Sequence, residues 1–152
     1  MKDDASDANA PPHPSQLSPR PSIEVAAGLV FRNGKLLITQ RYLDSHQGGS
    51  WEFPGGKREP QETFQECLER ELLEELGIKV EVRELVASIH HEYPEKTVLL
   101  KFFRCRWQQH EPQTLGCPAF RWVSPPELPE YQFPPADARL LELLKAKSNL
   151  WE

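Results

Sequence analysis

The sequence predicts an α/β (α+β) fold, an α/β/α sandwich in which helices cover both faces of a mixed β-sheet. Two observations support this class. Segments with the apolar, β-branched composition of strands dominate the chain before and after one central helical segment. An amphipathic helical segment then closes the chain. A sheet of this kind has to bury both faces, and the two helices are the elements that can cover them.

The first part of the predicted sheet is a hairpin. Residues 23–32 (IEVAAGLVFR) have the composition of a buried strand, and 35–41 (KLLITQR) supply the returning strand. Between them lies Asn33-Gly34, the dipeptide that most strongly indicates a tight hairpin turn. Residues 44–50 are polar and glycine-bearing, which predicts a loop, and 51–54 form a short extended piece.

The second part of the chain contains the central helix, three further strands and the closing helix. The closing helix is predicted from its leucines, which recur with helical periodicity and face inward. In chain order, the predicted elements are a helix over 63–76, strands over 79–91, 97–107 and 119–123, an irregular proline-rich segment over 125–135, and the helix over 137–147.

Composition limits the classes of function. A length of 152 residues suits one domain, and a formal net charge of −5 argues against a general electrostatic grip on long nucleic acid. The three cysteines form no close pair, which predicts reduced thiols and a cytoplasmic location. No apolar run is long enough to span a membrane. The sequence leaves monomer and homodimer open.

The N-terminal segment differs from the rest of the chain. Residues 1–21 contain five prolines among small polar residues, without the apolar core of a secretory signal. This composition predicts a disordered tail, followed by a single domain over 22–152.

The most informative feature is an acidic helix. Glu71, Glu74 and Glu75 lie at i, i+3 and i+4, so their carboxylates project from one side of the helix and repel one another. A divalent cation reverses that cost, and hard oxygen ligands suit Mg²⁺, with Mn²⁺ as the alternative. Thr63 and Glu66 have the spacing of a capping box.

The segment that contains these acids resembles the Nudix box, the signature of the Nudix hydrolases. Its fixed positions are Gly56, Glu62, Arg70, Glu71, Leu72, Glu74, Glu75, Gly77 and Ile78, with no departure from the family pattern. The resemblance implies the Nudix-type sandwich fold. It also implies that Mg²⁺ is held by Glu71, Glu74, Glu75 and the Gly56 carbonyl. Arg70 would orient these glutamates, and Glu62 would brace the loop before the helix.

The flanking residues are similar to those of MutT-like enzymes, the nucleoside triphosphate pyrophosphohydrolases. By this resemblance the substrate-binding residues are Arg41, His46, Phe53, Lys57 and Asp137. Asp137 follows Pro-Pro-Ala, where the MutT type has an asparagine that contacts the base. A carboxylate only accepts hydrogen bonds, whereas an amide also donates, so cytosine and 8-oxoguanine both stay open. Asp137 is equally suited to cap the last helix.

One position departs from the MutT-like pattern. Gly116 stands where those enzymes carry a glutamate that helps to bind metal and activate water. Glu111 or His110 could replace it, or the general base that activates water could be Glu71 or Glu75.

The predicted reaction is Mg²⁺-dependent hydrolysis of an oxidised or modified nucleoside triphosphate, such as 8-oxo-dGTP, to monophosphate and pyrophosphate. The expected task is nucleotide-pool sanitation, and the expected partner is the small nucleotide itself. Three alternatives remain: a CTP or 5-methyl-dCTP pyrophosphohydrolase, a hydrolase of dinucleoside polyphosphates, nucleotide sugars or RNA 5′ ends, and a non-catalytic nucleotide-binding module.

Overall fold

The computed structural model describes residues 21–152, so the segment predicted as a tail lies outside the described residues apart from Pro21. The described part contains seven strands: β1 (Ser22–Arg32), β2 (Lys35–Gln40), β3 (Trp51–Glu52), β4 (Gly55–Lys57), β5 (Lys79–Glu92), β6 (Thr97–Gln109) and β7 (Phe120–Val123). The α-helices are α1 (Phe64–Leu76) and α2 (Ala138–Ala146), and short 3₁₀ helices span Pro125–Glu130, Pro135–Asp137 and Ser148–Trp151.

The seven strands join one mixed sheet. Its order is β3-β2-β1-β6-β5, with β4 paired to β1 and β7 paired to β2. The central strands β1 and β6 run parallel, in a register that extends from Ser22 opposite Thr97 to Phe31 opposite Arg106. The other pairings are antiparallel. The predicted mixed sheet is therefore confirmed.

Each face of the sheet is buried against one helix. The α1 face contains a fully buried cluster that includes Val30, Leu37, Leu68, Leu72 and Leu76. The opposite face packs against α2 through a second cluster that includes Leu29, Ile38, Phe102, Leu140 and Leu144. Neighbouring residues of β1 belong to different clusters because successive side chains of a strand point to opposite faces. This layering is the predicted α/β/α sandwich.

Local sequence signals set the ends of the elements as predicted. The Thr63 hydroxyl accepts from the Glu66 backbone N–H at 3.0 Å, and the Glu66 carboxylate accepts from the Thr63 N–H at 2.9 Å, which completes the capping box. Gly77 ends α1 in the left-handed conformation, with φ of 70°. Asn33 and Gly34 both have positive φ, as a type I′ hairpin turn requires.

Two segments differ from the sequence-based expectation. The sequence predicts no strand between residue 54 and the central helix, but Gly55–Lys57 form β4 because their backbone pairs with Val25–Ala27 of β1. The segment 125–135 was expected to be irregular. Its first half is instead a 3₁₀ helix, because the Glu127 carboxylate accepts from the Ser124 N–H at 2.7 Å and the prolines set helical φ.

Two further findings concern the length of the helices and the state of the cysteines. Within residues 21–152, neither α-helix has the length and apolar character of a membrane-crossing segment. The three cysteines, Cys67, Cys105 and Cys117, are buried and form no disulfide. Burial raises the pKa of the Cys67 thiol to about 12, so this residue packs in the core between α1 and the sheet and is not suited to act as a nucleophile.

Candidate active site

A cleft of about 590 Å³ lies beside the acidic helix, between the starts of β1 and β4, β3 and the segment before α2. Seven of the predicted site residues line it: Arg41, His46, Phe53, Gly56, Lys57, Glu75 and Asp137. The other four, Glu62, Arg70, Glu71 and Glu74, are not among the residues of its wall. The fold therefore gathers residues that are more than ninety positions apart in the chain.

The glycine strand β4 brings Gly56 against the carboxylate of Glu71. Antiparallel pairing with Ala26 fixes the backbone of Gly56. A Cβ atom at this position would overlap the carboxyl group of Glu71, so only glycine leaves room for it. The Gly56 carbonyl accepts a weak hydrogen bond from the Cys67 thiol at 3.5 Å. The strand and the helix are thus in contact at the predicted metal ligands.

Arg70 ties the loop before α1 to the acidic face of the helix. Its Nε and Nη2 donate to the two carboxylate oxygens of Glu62 at 3.0 and 2.7 Å, a bidentate pair. These bonds hold the pKa of Glu62 down to about 2. Arg70 Nη1 also donates to Glu71 at 3.1 Å and Glu74 at 3.2 Å, and Nη2 donates to the Lys57 carbonyl at 3.2 Å. These contacts fix the guanidinium of Arg70 against the carboxylates of Glu62, Glu71 and Glu74.

The acidic face carries more negative charge than its cationic partners neutralise. Burial, reinforced by the charges of Glu71 and Glu52, raises the pKa of Glu75 to about 8. Burial also raises the pKa of Glu71, although the bond from Arg70 opposes the shift. A bound cation would therefore stabilise the ionised form of both carboxyl groups.

The arrangement fits a divalent metal ion. Among residues 21–152, no three His, Cys, Asp or Glu side chains converge as a finished ligand set, and Arg70 occupies Glu71 and Glu74. The available donors are nevertheless carboxylate and carbonyl oxygens, which Mg²⁺ and Mn²⁺ prefer. Because the carboxylates repel one another and the pKa of Glu75 is raised, the site is electrostatically prepared for a cation.

The opposite end of the cleft is aromatic and acidic. Phe53 is buried and stacks on Phe133, with ring centroids 4.9 Å apart and planes at 26°. Asp137 is 8% exposed, and its pKa is raised to about 6 by burial and by the nearby charge of Glu52. An apolar wall with one polar carboxyl group is typical of a pocket that binds a planar base.

Asp137 occupies the N-cap position of α2, but its side chain makes no capping hydrogen bond. Its backbone, with φ of −89° and ψ of 1°, ends a 3₁₀ turn instead of adopting the extended conformation of a capping residue. The capping alternative for this side chain is therefore wrong. The carboxyl group lines the cleft instead.

Glu52, which no motif in the sequence marks as a site residue, lines the cleft between its two ends. Its carboxylate accepts from Arg41 Nη1 at 2.7 Å, and burial raises its pKa against the effect of that arginine. Arg41 also donates through Nε to the His46 carbonyl at 2.7 Å, so one side chain links β3 to the loop that carries His46. The signal for Glu52 was a charged residue in an otherwise apolar, aromatic stretch.

The loop that contains Gly116 packs against the end of α1. The N–H groups of Leu115 and Gly116 both donate to the Glu75 carbonyl, at 3.1 and 2.9 Å. A Cβ at Gly116 would stand 3.1 Å from Cγ of Glu75, so this position directly borders the acidic face. The missing family glutamate would therefore have projected from beside Glu75.

Neither predicted substitute reaches the cleft. The Glu111 carboxylate forms two bonds with Arg32, at 3.0 and 2.9 Å, and is 71% exposed. The His110 carbonyl accepts from the indole of Trp107 at 2.8 Å. Both residues lie beyond the end of β6, outside the lining of the cleft. Of the residues considered as the general base of the reaction, only the glutamates of α1 lie beside the site.

Comparison with known proteins agrees with this geometry. A family model described as a NUDIX domain matches residues 26–143. The chain is 43% identical to a CTP pyrophosphohydrolase of Escherichia coli over 129 residues, which cover 82% of this chain and 92% of that protein. It is 34% identical to an 8-oxo-dGTP diphosphatase of the same species, over 81% of this chain and 96% of that protein. The solution structure of the E. coli ORF135 protein superposes with a TM-score of 0.67 at 42% identity, over 84% of this chain and 91% of that one.

The chain belongs to the Nudix hydrolases, enzymes that act on phosphoric anhydrides. Within the family it is MutT-like, and its relatives support nucleoside triphosphate pyrophosphohydrolase activity. Nudix hydrolases generally use divalent metal ions and act on small nucleotide substrates.

Proposed function

We propose that this chain hydrolyses an oxidised or modified nucleoside triphosphate, such as 8-oxo-dGTP, to the monophosphate and pyrophosphate, with Mg²⁺ as its metal ion. The observation that carries the proposal is the single cleft that joins a phosphate end at Gly56, Lys57 and Glu75 to a base end at Phe53 and Asp137. A mononucleotide likewise carries its phosphate chain at one end and its base at the other. Removal of damaged nucleotides from the precursor pool is the expected task.

At the phosphate end, Glu71, Glu74, Glu75 and the Gly56 carbonyl would hold the metal ion. When bound, Mg²⁺ neutralises charge on the triphosphate and makes a water molecule more acidic. Lys57 is exposed at the rim of the cleft, directly after the glycines, where its ammonium can pair with a phosphate oxygen. Glu75 is the α1 carboxylate that lines the cleft, so we assign to it the role of general base, which accepts a proton from the attacking water.

At the base end, the ring of Phe53, which stacks on Phe133, contributes an apolar wall, and Asp137 offers hydrogen bonds to the edge of the base. Arg41 and Glu52 form an ion pair beside it. 8-Oxoguanine presents N–H donors to a carboxylate and carbonyl acceptors to a protonated one. The raised pKa of Asp137 makes both forms accessible near pH 6.

A second candidate substrate is CTP or 5-methyl-dCTP. The specific observation in its favour is that two carboxyl groups, Glu52 and Asp137, line the same cleft. Ionised carboxylates only accept hydrogen bonds, and the N4 amine of cytosine is a donor. The relative named CTP pyrophosphohydrolase is also 43% identical over most of both chains.

The deciding experiment is a product analysis of the purified chain with 8-oxo-dGTP, CTP, 5-methyl-dCTP, the canonical nucleotides, a dinucleoside polyphosphate and a triphosphate-ended RNA, with and without Mg²⁺. Monophosphate and pyrophosphate from 8-oxo-dGTP, at a kcat/KM far above the other substrates, would support the proposal. A clear preference for the cytidine nucleotides would select the second candidate. Turnover of only the dinucleotide or the RNA would refute both.

Asp137→Asn is the matched variant for the base end, because it keeps the shape of the side chain and adds a donor. If the base is cytosine, the amide should lower kcat/KM by about tenfold or more. If the base is 8-oxoguanine, the loss should be smaller, because the amide can pair with both kinds of edge. Nucleotide-induced thermal stabilisation without any turnover in Mg²⁺ would instead identify a binding module.

A further inference from the structure

A second cleft, of about 670 Å³, lies at the other end of the sheet and shares no residue with the cleft described above. It is formed by the β1–β2 turn, the last part of β6, one residue of β5 and the C-terminal 3₁₀ helix. Its lining includes four arginines, Arg32, Arg83, Arg104 and Arg106. Neither the proposed reaction nor the family motif uses any of them.

The strand register explains how three of these arginines meet. Arg106 lies opposite Phe31 on β1 and Glu81 on β5, and Phe31 belongs to the cluster beneath α2, so Arg106 projects on the α2 side of the sheet. Arg104, two residues earlier on the same strand, projects on that side as well. An irregularity in β5 between Val82 and Leu85 places Arg83 beside them.

Acidic residues next to this cleft balance much of the charge of its arginines. Three exposed or partly exposed glutamates, Glu81, Glu84 and Glu111, pair with Arg83, Arg104 and Arg32, and such surface pairs are weak. Glu152 is the one acidic residue among those that line the cleft. The cleft is therefore distinguished by its guanidinium donors and not by an excess of positive charge.

Two of the arginines keep donors without a hydrogen-bond partner. Among the described residues, Arg106 makes no hydrogen bond or ion pair that the structure records. The Nε atom of Arg104 is buried and faces a Glu84 oxygen at 3.0 Å, so the donors of Arg104 that could serve a ligand are its two Nη groups, for which no hydrogen bond is recorded among residues 21–152. Unsatisfied guanidinium donors that line a cleft are the groups that bind phosphate through parallel N–H···O bonds.

We propose that this arginine cleft binds a small phosphate-bearing anion of the pyrophosphate class, at a site separate from the active site. The anion could arrive free, as the pyrophosphate that the proposed reaction releases, or as the phosphate chain of a nucleotide. Ala27 lines one cleft and Phe31 the other, so the sites are about 13 Å apart along β1.

The test is isothermal titration of the full chain with inorganic pyrophosphate, a nucleoside monophosphate and an α,β-methylene triphosphate, in EDTA so that metal-dependent binding at the active site is absent. Arg106→Gln is the diagnostic variant, because this side chain is exposed and has no recorded partner to lose. The matched control is Arg139→Gln, which removes the same charge from an exposed position of α2 outside both clefts.

The proposal expects pyrophosphate to bind the wild-type chain and the Arg139 variant equally, and the Arg106 variant about tenfold more weakly. Turnover of the preferred nucleotide at saturating Mg²⁺ should be unchanged in the Arg106 variant. Binding of pyrophosphate alone would identify the free anion, and an equal Arg106-dependent loss for the triphosphate analogue would identify a nucleotide. Absence of binding, equal affinity in both variants, or loss of binding only in Lys57→Gln would overturn the proposal.

Discussion

Replacement of Gly56 by alanine is a direct test of the contact between β4 and α1. The methyl group of alanine would occupy the space that the Glu71 carboxyl group now fills. The backbone of β4 is fixed by its pairing with β1, whereas the carboxyl group is the free end of a flexible side chain. We therefore expect Glu71 to move and the strand to stay.

The size of that movement sets the expected effect. To reach ordinary van der Waals separation, the carboxyl carbon of Glu71 has to retreat by more than about 1 Å from its present place against Gly56. Displacement of a catalytic group by about 1 Å can cost about 100-fold in rate. Gly56→Ala should therefore lower kcat at saturating Mg²⁺ by about 100-fold. The cost in stability should stay near 1 kcal/mol, since no buried apolar contact is lost.

Two other glycines provide matched controls. Gly28 faces α1 from β1, and a Cβ there would lie 3.3 to 3.5 Å from Val30, Leu68 and Leu72, so Gly28→Ala adds a methyl group without touching a carboxylate. Gly55→Ala would overlap the backbone of β1 and should destabilise the fold. The assay is kcat for the preferred nucleotide together with urea denaturation of all three variants.

Two outcomes of this experiment would contradict a role for the contact between Gly56 and Glu71. If Gly56→Ala folds and keeps wild-type kcat, then the position of Glu71 against β4 does not matter for the reaction. If Gly56→Ala loses stability to the same extent as Gly55→Ala, the effect belongs to the strand and not to the carboxylate.

Three further substitutions test other parts of the site. Glu75→Gln should lower turnover by at least about 100-fold in the product assay without lowering the thermal midpoint, because glutamine matches the uncharged form of Glu75 that its raised pKa of about 8 favours in the metal-free protein; wild-type turnover would exclude Glu75 from the site. Thr63→Ala should cost about 1 kcal/mol in urea denaturation and leave kcat unchanged, because it removes only the helix cap. Burial raises the pKa of Asp137 from 3.8 to about 6, so the ionised form opposes folding, and stability falls as pH rises from about 4 through 6. Relative to wild type, Asp137→Asn should gain up to about 3 kcal/mol in denaturation experiments between pH 4 and pH 8; identical pH dependence in both proteins would contradict this.

The local signals of the sequence were sufficient for much of the fold. The capping box at Thr63 and Glu66 and the left-handed Gly77 place the ends of α1 to within a residue. The continuous apolar run of β1 indicates a strand that is buried on both faces, and the leucines of α2 show which face of that helix points inward. Such signals succeed because they depend on hydrogen bonds and periodicities within a few residues.

The strand character of Gly55–Lys57 and the position of Glu52 were not accessible in the same way. Glycine has little preference for a strand, and β4 exists because β1, thirty residues earlier, supplies its hydrogen-bond partners. Glu52 becomes part of the site only because β3 places it between Arg41 and the segment that carries Asp137.

By itself, the sequence determined the sandwich fold, the acidic helix and the family signature, because these are written in spacing along one segment. Only the tertiary structure decided that the Asp137 side chain faces the cleft instead of capping α2, that Glu111 pairs with Arg32 away from the site, and that β5 and β6 gather arginines at the far end of the sheet. Those outcomes depend on which side chains meet across strands distant in the chain, and burial and charge at such meetings have no counterpart in the local pattern.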